Sequence, residues 1–326
     1  MKAFVTGATG FVGSHLADRL LTLGFDVYCL RRKTSNIRWL QGKNVKFVDG
    51  DLFDNEVLGK VLIDVDYVFH VAGVVKSKSK DGFYRGNTLA TKNLIELTYK
   101  SNPKIKKFVF VSSQAVCGPN PDDKPITEEY IPRPITTYGI TKLKSEEEVL
   151  KFKDKIPVSI VRPPAIFGPR DTEILIYFKT FSKGLNSIIG FGDKYLSLVY
   201  VDDLIDGIIA ASGEKVKSGE IFFICSDSSY NWNEIAETTS IILNKKPVKI
   251  RIPHFVVFTV GAISQCLSAF SKNAATLNIE KCKDITRKRW VCSNEKAKRI
   301  LGFNPANSLE EGFRKTINWY KENNWL

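Results

Sequence analysis

Tyr138 and Lys142 stand four residues apart in Tyr138-Gly139-Ile140-Thr141-Lys142, so a helix over this stretch sets both on one face. A tyrosine ordinarily titrates near pH ~10 and is a poor acid–base group at neutral pH. A neighbouring ammonium favours the phenolate and brings the phenol toward the working range. Ser113 ends the apolar run Lys107–Val111 at Ser112-Ser113-Gln114, where a predicted strand points into the same cleft. Its hydroxyl can hydrogen-bond a substrate oxygen while Tyr138 gives or takes the proton. The chemistry implied is hydride transfer between a nicotinamide C4 and a carbonyl or carbinol carbon, with Lys142 also holding the nicotinamide ribose hydroxyls. A Tyr-x-x-x-Lys pair alone is common by chance. Its weight comes from order along the chain: a glycine turn first, then Ser-Ser at a strand end, then the pair.

The elements that must position these residues begin at the N-terminus. Met1–Val5 is a short apolar run, Thr6-Gly7-Ala8-Thr9-Gly10-Phe11-Val12-Gly13 follows, and Ser14–Leu21 has helical spacing. This reads as strand, glycine-rich turn, helix. Gly7 can take backbone angles closed to other residues. Gly10 lets the chain approach a pyrophosphate, and Gly13 lets the helix pack close on its strand. The helix start, reached through Thr9, Phe11 and Val12, presents N–H groups and a partial positive charge to phosphate. A glycine triplet is weak evidence alone and much stronger after a strand and before a helix.

Val27–Leu30 is the second predicted strand, ending in Arg31-Arg32-Lys33-Thr34-Ser35. An acidic residue here would bond a free ribose 2′-hydroxyl, whereas arginine accommodates a 2′-phosphate. No Asp or Glu follows until Asp49, which argues for NADP(H), with NAD(H) as the alternative. Val45–Val48 is a third strand ending in Asp49-Gly50-Asp51-Leu52. A carboxylate at a strand end beside the cofactor suits the adenine amino group, so Asp51, with Leu52 next to it, is the candidate. Asp66–Gly73 is a fourth strand, and Ala72-Gly73 is small enough for the backbone to pass close to a ligand. His70 lies in that apolar run and reads as a packed strand histidine.

Helix spacing over Asn87–Ser101, a fifth strand at Lys107–Val111, a helix from Thr137 and a sixth strand at Val158–Val161 complete a strand–helix rhythm. That rhythm predicts a parallel, doubly wound α/β sheet. Further on, Glu173–Lys183 reads as a helix and Leu198–Asp203 as a strand running into the helix Leu204–Ala211. Glu220–Cys225 reads as a strand and Trp232–Leu243 as an amphipathic helix. Glu295–Leu301 and Leu309–Trp325 read as closing helices. Residues 252–271 contain no Lys, Arg, Asp or Glu. Their length suits a membrane span. Pro253, His254, Gln265 and the scattered Ser, Thr and Gly favour instead one or two buried helices over the substrate pocket. A contact with a membrane surface is the lesser alternative, kept open by the basic run Lys281, Lys283, Arg287, Lys288 and Arg289.

The 326 residues are 43% hydrophobic and 25% charged, a globular composition with room for a large core and one or two domains. The net charge of +13 admits nucleic acid, an anionic membrane or phosphorylated ligands as partners. The lysines are spread through the chain and no nucleic-acid-binding signature is present, so a solvated surface without a nucleic-acid partner is expected. Cys29, Cys117, Cys225, Cys266, Cys282 and Cys292 form no CxxC pair. They read as reduced thiols of a cytoplasmic protein, without disulfides or metal. The start directly in a strand predicts no signal peptide.

TGATGFVGSHL, the GDL run, VAG, FVSS, YGITK, RPPAIFGP and LVYVDDL stand in the order seen in the extended short-chain dehydrogenase/reductase superfamily. Over essentially its whole length the chain resembles that superfamily and its NAD-dependent epimerase/dehydratase family. The resemblance implies a Rossmann domain with a smaller C-terminal α/β substrate domain. The first would take residues 1–167 plus about 198–225, and the second 168–197 and 226–326. It implies a Ser113–Tyr138–Lys142 triad, since Ser113 lies five residues before Gly118 in an SSxxxxG pattern. By position, Asn87 resembles the asparagine that supports the lysine and a water. Pro163 and Ile166 fall where backbone groups touch the nicotinamide amide. Gln114-Ala115 replaces the acidic residues of sugar dehydratases. Tyr195–Leu198 lacks the cation with which many epimerases hold a nucleotide diphosphate. The RRKTSN stretch, the uncharged segment and the closing GFNP…WY resemble the dihydroflavonol-reductase and 3β-hydroxysteroid-dehydrogenase-like branch. The expected protein is an NADP(H)-dependent oxidoreductase acting on a small, fairly apolar molecule rather than a nucleotide sugar. Its pocket would be closed by residues near 76–85, 114–117, 175–200 and 254–270. A nucleotide-sugar epimerase with bound NAD is the alternative, and a homodimer fits the resemblance.

Overall fold

A computed structural model describes residues 1–269, 271 and 275–326. Its main sheet starts with β1 (Lys2–Thr6), β2 (Asp26–Arg31), β3 (Val45–Asp49), β4 (Tyr67–His70), β5 (Lys107–Val111) and β6 (Val158–Arg162). The chain then makes β7 (Ala165–Phe167), β8 (Leu185–Ile189) and β9 (Tyr195–Tyr200) elsewhere before returning with β10 (Glu220–Phe223) to the edge of this sheet. The order is β10-β6-β5-β4-β1-β2-β3, parallel throughout. β4, β5 and β6 are buried at every residue, as near-continuous Val, Ile and Phe require in a sheet covered on both faces. The strand order reverses between β1 and β4, and the crevice at such a switch point is where open parallel sheets bind ligands.

Helices cover both faces. α1 (Phe11–Thr22) contributes Leu16 and Leu20 to one core with Val5 and Val27. α2 (Asn55–Leu62) contributes Leu58 to the other with Phe4, Val68 and Phe108. A short α3 (Lys80–Phe83) and a π-helical turn at Tyr84–Leu89 lead into α4 (Ala90–Ser101). The single helix expected from Asn87 therefore starts with a widened turn, and Asn87 lies in it. α5 (Thr137–Leu150) packs on the same face, and its buried Glu146 takes a two-pronged ion pair from Arg162 of β6 at 2.9 and 2.6 Å. That pair fixes the helix carrying Tyr138 against the sheet.

α6 (Glu173–Ser182) follows β7, and α7 (Val201–Ala210) packs on α1. Val201, Asp202 and Asp203 thus belong to the helix, and the strand they were expected to end stops at Tyr200. That strand, β9, belongs to a smaller sheet with β7, β11 (Ser229–Asn231) and β13 (Arg289–Trp290), not to the main one. The range 198–225 is accordingly shared: β10 joins the main sheet while β9 faces the smaller one. After α8 (Trp232–Leu243), β12 (Val248–Ile252) pairs with β8.

The uncharged segment forms one helix, α9 (His254–Ala269). It is not buried: Phe255, Ile263 and Leu267 are 73%, 55% and 66% exposed. It also does not line the pocket, because α10 (Ile279–Ile285) lies beneath it. The Cys282 thiol of α10 donates to Val257 O, and a Cβ on Gly261 would meet that sulfur at 2.4 Å. Residue 270, in the same stretch, lies outside the described residues. Among the described residues no helix is long and apolar enough to cross a membrane. α11 (Glu295–Leu301) and α12 (Leu309–Glu322) end the chain. α12 packs Phe313 edge-on against Phe167 and Phe178, at centroid distances of 5.1 and 5.0 Å, so the last helix ties β7 to α6.

Candidate active site

The glycine turn does what its spacing requires. Gly7 has φ +73°, and a Cβ there would stand 2.7 Å from Ala72 N. A Cβ on Gly13 would meet Gly7 O at 2.2 Å. Gly10 caps α1 without any side-chain bond, and no acidic residue sits in the first turn. The helix therefore presents unneutralised N–H groups at Phe11 and Val12, a site for an anion. Gly13→Ala should lower stability by about 1–3 kcal/mol through this overpacking and weaken dinucleotide binding, read by thermal melting with and without ligand.

A cleft of about 370 Å³ runs from this turn. Gly7, Thr9, Arg31, Arg32, Asp51, Leu52, Ala72 and Gly73 all line it, although they come from four strand ends. The Asp51 carboxylate takes the Phe53 N–H at 2.7 Å on one oxygen. Arg31 and Arg32 differ. Arg31 donates from Nε to Asp49 at 2.7 Å and stacks on Phe47 at 4.1 Å. The sequence distance to Asp49 hid this: β2–β3 register sets Arg31 directly beside Asp49. Its guanidinium holds the Asp49 carboxyl below the usual range. The Arg32 side chain has no partner among the described residues; its backbone bonds Ser35, donating its N–H to Oγ and accepting the Ser35 N–H on its carbonyl. Arg85, stacked 4.2 Å over Phe53, adds a third arginine to the cleft that no local pattern announced. The cleft's glycine cradle, uncapped helix start and free arginine fit a dinucleotide carrying a pyrophosphate.

Farther along, α5 comes up against the turn after β5. Its start is capped by Thr136, whose Oγ1 takes the Gly139 N–H at 3.2 Å. A Cβ on Gly139 would lie 2.4 Å from Ala115 O. The glycine between Tyr138 and Lys142 thus lets the helix sit flush on Ser113–Ala115. The Ser113 hydroxyl accepts from Ala115 N at 3.1 Å, and the half-buried Tyr138 lines the same cavity as Ser113. Lys142 donates from Nζ to Val111 O at 2.7 Å and lies 4.0 Å over the Phe110 ring. A Cβ on Gly73 would be 3.8 Å from that Nζ, so the lysine closes the end of the dinucleotide cleft.

The electrostatics depart from the expected pair. Burial pulls the Lys142 ammonium down to about 7, with Glu146 opposing. Burial raises the Tyr138 phenol above its usual value, the Ser113 hydroxyl opposes, and the charge of Asp284 adds to the rise. The ammonium does not offset that rise, because it is itself desolvated and turned to Val111 O. His70 is a packed residue as expected. It bonds Thr6 and Thr91 at 2.7 and 2.9 Å, and burial holds it neutral with its pKa down at about 3.

Asn87 accepts from Val74 N at 2.7 Å and donates to Thr141 Oγ1 at 3.0 Å, bracing the residue next to Lys142 rather than the lysine itself. Pro163 and Ile166 do not reach either cavity. The Pro163 carbonyl is taken by Gln114 N at 2.8 Å, and Ile166 is paired with Val199 in β7–β9. Pro164 and Ala165, between them, are the residues presented to the cavity.

Ser113 and Tyr138 open onto that second cavity, about 750 Å³ in volume. Ile176, Tyr177, Leu185, Ile189, Leu196 and Trp232 give it a broadly apolar wall. Residues 75–83, 113–115 and 173–197 contribute as expected, but residues 275–290 stand where 254–270 were expected, since α10 interposes. Lys194, one residue before β9, also lines it. Its Nζ donates to Ile285 O at 2.6 Å, and burial lowers it to about 8. A cation therefore does stand next to Tyr195–Leu198. A position just outside a strand has no periodic signal to announce it.

These features agree with what the chain is similar to. A ceramide reductase from Caulobacter vibrioides is 26% identical over 322 residues, covering 99% of this chain and 95% of that protein. A decarboxylating sterol-4-alpha-carboxylate 3-dehydrogenase from Mus musculus is 28% identical over 335 residues, covering 97% and 90%. The structure of UDP-glucuronic acid 4-epimerase from Bacillus cereus in complex with NAD superposes with a TM-score of 0.80 at 25% identity over 99% of both chains. The profile of the NAD dependent epimerase/dehydratase family matches residues 3–225. The chain belongs to this family, within the extended short-chain dehydrogenase/reductase superfamily.

Proposed function

We propose that the protein is an NADP(H)-dependent oxidoreductase that interconverts a carbonyl and an alcohol on a largely apolar substrate, in the manner of the dihydroflavonol-reductase-like branch. The observation that carries this reading is the Ser113–Tyr138 hydroxyl pair at the wall of a broadly apolar 750 Å³ cavity. The glycine turn and the start of α1 hold the pyrophosphate, Asp51 and Leu52 flank the adenine, and Arg32 meets the 2′-phosphate. The bound dinucleotide supplies or takes up the hydride at its nicotinamide ring. Ser113 donates a hydrogen bond to the substrate oxygen. Tyr138 delivers its phenolic proton to that oxygen in reduction and removes it in oxidation. Lys142, held by Val111 O at the cleft's end, holds the ribose hydroxyls beside the reacting carbon. A ceramide reductase and a sterol dehydrogenase among the relatives support a lipid-like substrate.

A second reading, a nucleotide-sugar epimerase, has one observation in its favour: Lys194 and Arg287 line the same cavity and suit a diphosphate. Incubation with NADPH and a panel of aliphatic and steroidal ketones separates the two. Loss of nicotinamide absorbance matched by alcohol formation is the expected result. NAD retained through purification, with UDP-sugars interconverted and no net cofactor consumption, would establish the epimerase instead.

A further inference from the structure

The side of α9 that points away from α10 has no place in the steps above. Phe255, Thr259, Ile263 and Leu267 recur every fourth residue along it, Val260 lies beside them, and all five are exposed. Val257 and Gly261 are buried on the other side, against Cys282 of α10. The apolar surface continues past the start of the helix. A Cβ on Gly190 would stand 2.5 Å from His254 Nε2, which sets the exposed Phe191 beside α9, and Arg251 Nη1 donates to Phe191 O at 2.6 Å. Lys288 O takes the Tyr195 N–H at 2.9 Å, next to the loop that carries Phe191. At the other end of the helix, Lys78 donates to Ser271 O. The strip also borders the cavity. Ala275, Thr276 and Asn278, in the link from α9 to α10, line it, and the Ile279 N–H holds that link to Gln265 Oε1 at 3.2 Å.

A contiguous apolar strip left in water marks an interaction surface. The charge around this one identifies its partner. No Asp or Glu occurs between Glu237 and Glu280, although the chain holds 35, while Lys245, Lys246, Lys249 and Arg251 lead into the helix. Glu280 and Asp284 line the cavity, and Asp193 is the one acid in the Phe191 loop. A second copy meeting this face through the same face would set these cations against their own counterparts. An anionic bilayer surface accepts both the apolar strip and the cations. At 16 residues α9 is about 24 Å long and packed lengthwise on α10, so it suits lying along a bilayer rather than crossing it. We propose that α9 and Phe191 dock the protein on a bilayer surface that carries anionic lipid, with Lys78, Arg251 and Lys288 at the headgroups. A lipid-like substrate then enters the cavity beside the α9–α10 link without crossing water. That entry route rests on the apolar-substrate reading above, whereas the docking does not.

The test floats the full-length protein with vesicles of phosphatidylcholine alone, and with vesicles of equal parts phosphatidylcholine and phosphatidylglycerol. The anionic vesicles should bind at least about tenfold tighter, and less so as salt rises. Replacing Phe255, Ile263 and Leu267 together by Ser should cut affinity for both vesicle types at least about tenfold, because each loses apolar area that the bilayer buries. All three are exposed, so this variant should melt with the native chain. Lys78→Gln with Lys288→Gln should weaken only the anionic binding, by about fivefold for each cation, and supplies the test independently should the triple variant melt low. No flotation on anionic vesicles overturns the proposal, as does a natively melting triple variant that floats like the native chain. A native dimer in vesicle-free buffer that the triple variant converts to monomer would assign the face to a second copy, and overturns it too. Vesicle binding without NADPH oxidation on any ketone would refute the oxidoreductase reading and leave the docking standing. NADPH oxidation without vesicle binding would do the reverse.

Discussion

Tyr138→Phe should lower kcat for carbonyl reduction by about 10²- to 10⁴-fold, the range that a positioned proton donor contributes. The ring stays in place, because Gly139 keeps α5 flush on the turn after β5 and Phe fills the same volume. Ser113 keeps its bond to Ala115 N. Only the transferable proton is lost, so dinucleotide affinity should be unchanged. The pH dependence has a defined sign. Burial lifts the phenol above its ordinary value, so the proton resides on Tyr138 throughout the neutral range. Reduction, which consumes that proton, should stay level through neutral pH and fall only as the phenol ionises. Oxidation needs the phenolate and should rise with pH over the same alkaline interval. Steady-state kinetics in both directions check this. A Tyr138→Phe enzyme with more than half the native kcat would remove Tyr138 from the mechanism.

Arg32→Glu should reverse the choice of dinucleotide. A hydrogen-bonded contact to a charged group is worth about 1.5–3 kcal/mol, and replacing the cation by an anion adds repulsion of the 2′-phosphate. The ratio of NADPH to NADH affinity should therefore fall by about two to three orders of magnitude. The same change at Arg31 should have a smaller effect on the ratio, because that guanidinium is already committed to Asp49 and the face of Phe47. Titration of each variant with both dinucleotides reads the ratio directly. A native preference for NADH would overturn the assignment of Arg32.

What the sequence reveals and what it hides follow from how far each feature reaches. The turn Gly7–Gly13 and the pair Tyr138/Lys142 are local, so residue type and spacing alone locate them. The steric need for Gly139 is equally local, yet only the position of Ala115 O shows its purpose. Arg31 and Arg32 look alike in sequence, and strand register alone distinguishes the neutralised one from the free one. Asp284 and Lys194 reach the cavity through the packing of α10 and the entry to β9, which no periodicity encodes. The uncharged run 252–271 predicts a helix correctly and its burial wrongly. Composition reports that a segment tolerates an apolar setting, not whether α10 already occupies the side facing the cavity. The resting charge balance of Tyr138 and Lys142 was also out of reach, since it depends on desolvation rather than on spacing.

The return of the chain to the main sheet as β10 has a consequence for how the molecule comes apart. β10 covers the flank of β6, and Phe222 and Phe223 on it are wholly buried in two different cores. A fragment ending at Phe167 would leave β6 as a bare hydrophobic edge, open to pairing with another chain. Residues 1–167 without β10 are therefore expected not to fold on their own. Denaturation of the whole protein should be a single cooperative event, and limited proteolysis should not release a stable N-terminal core.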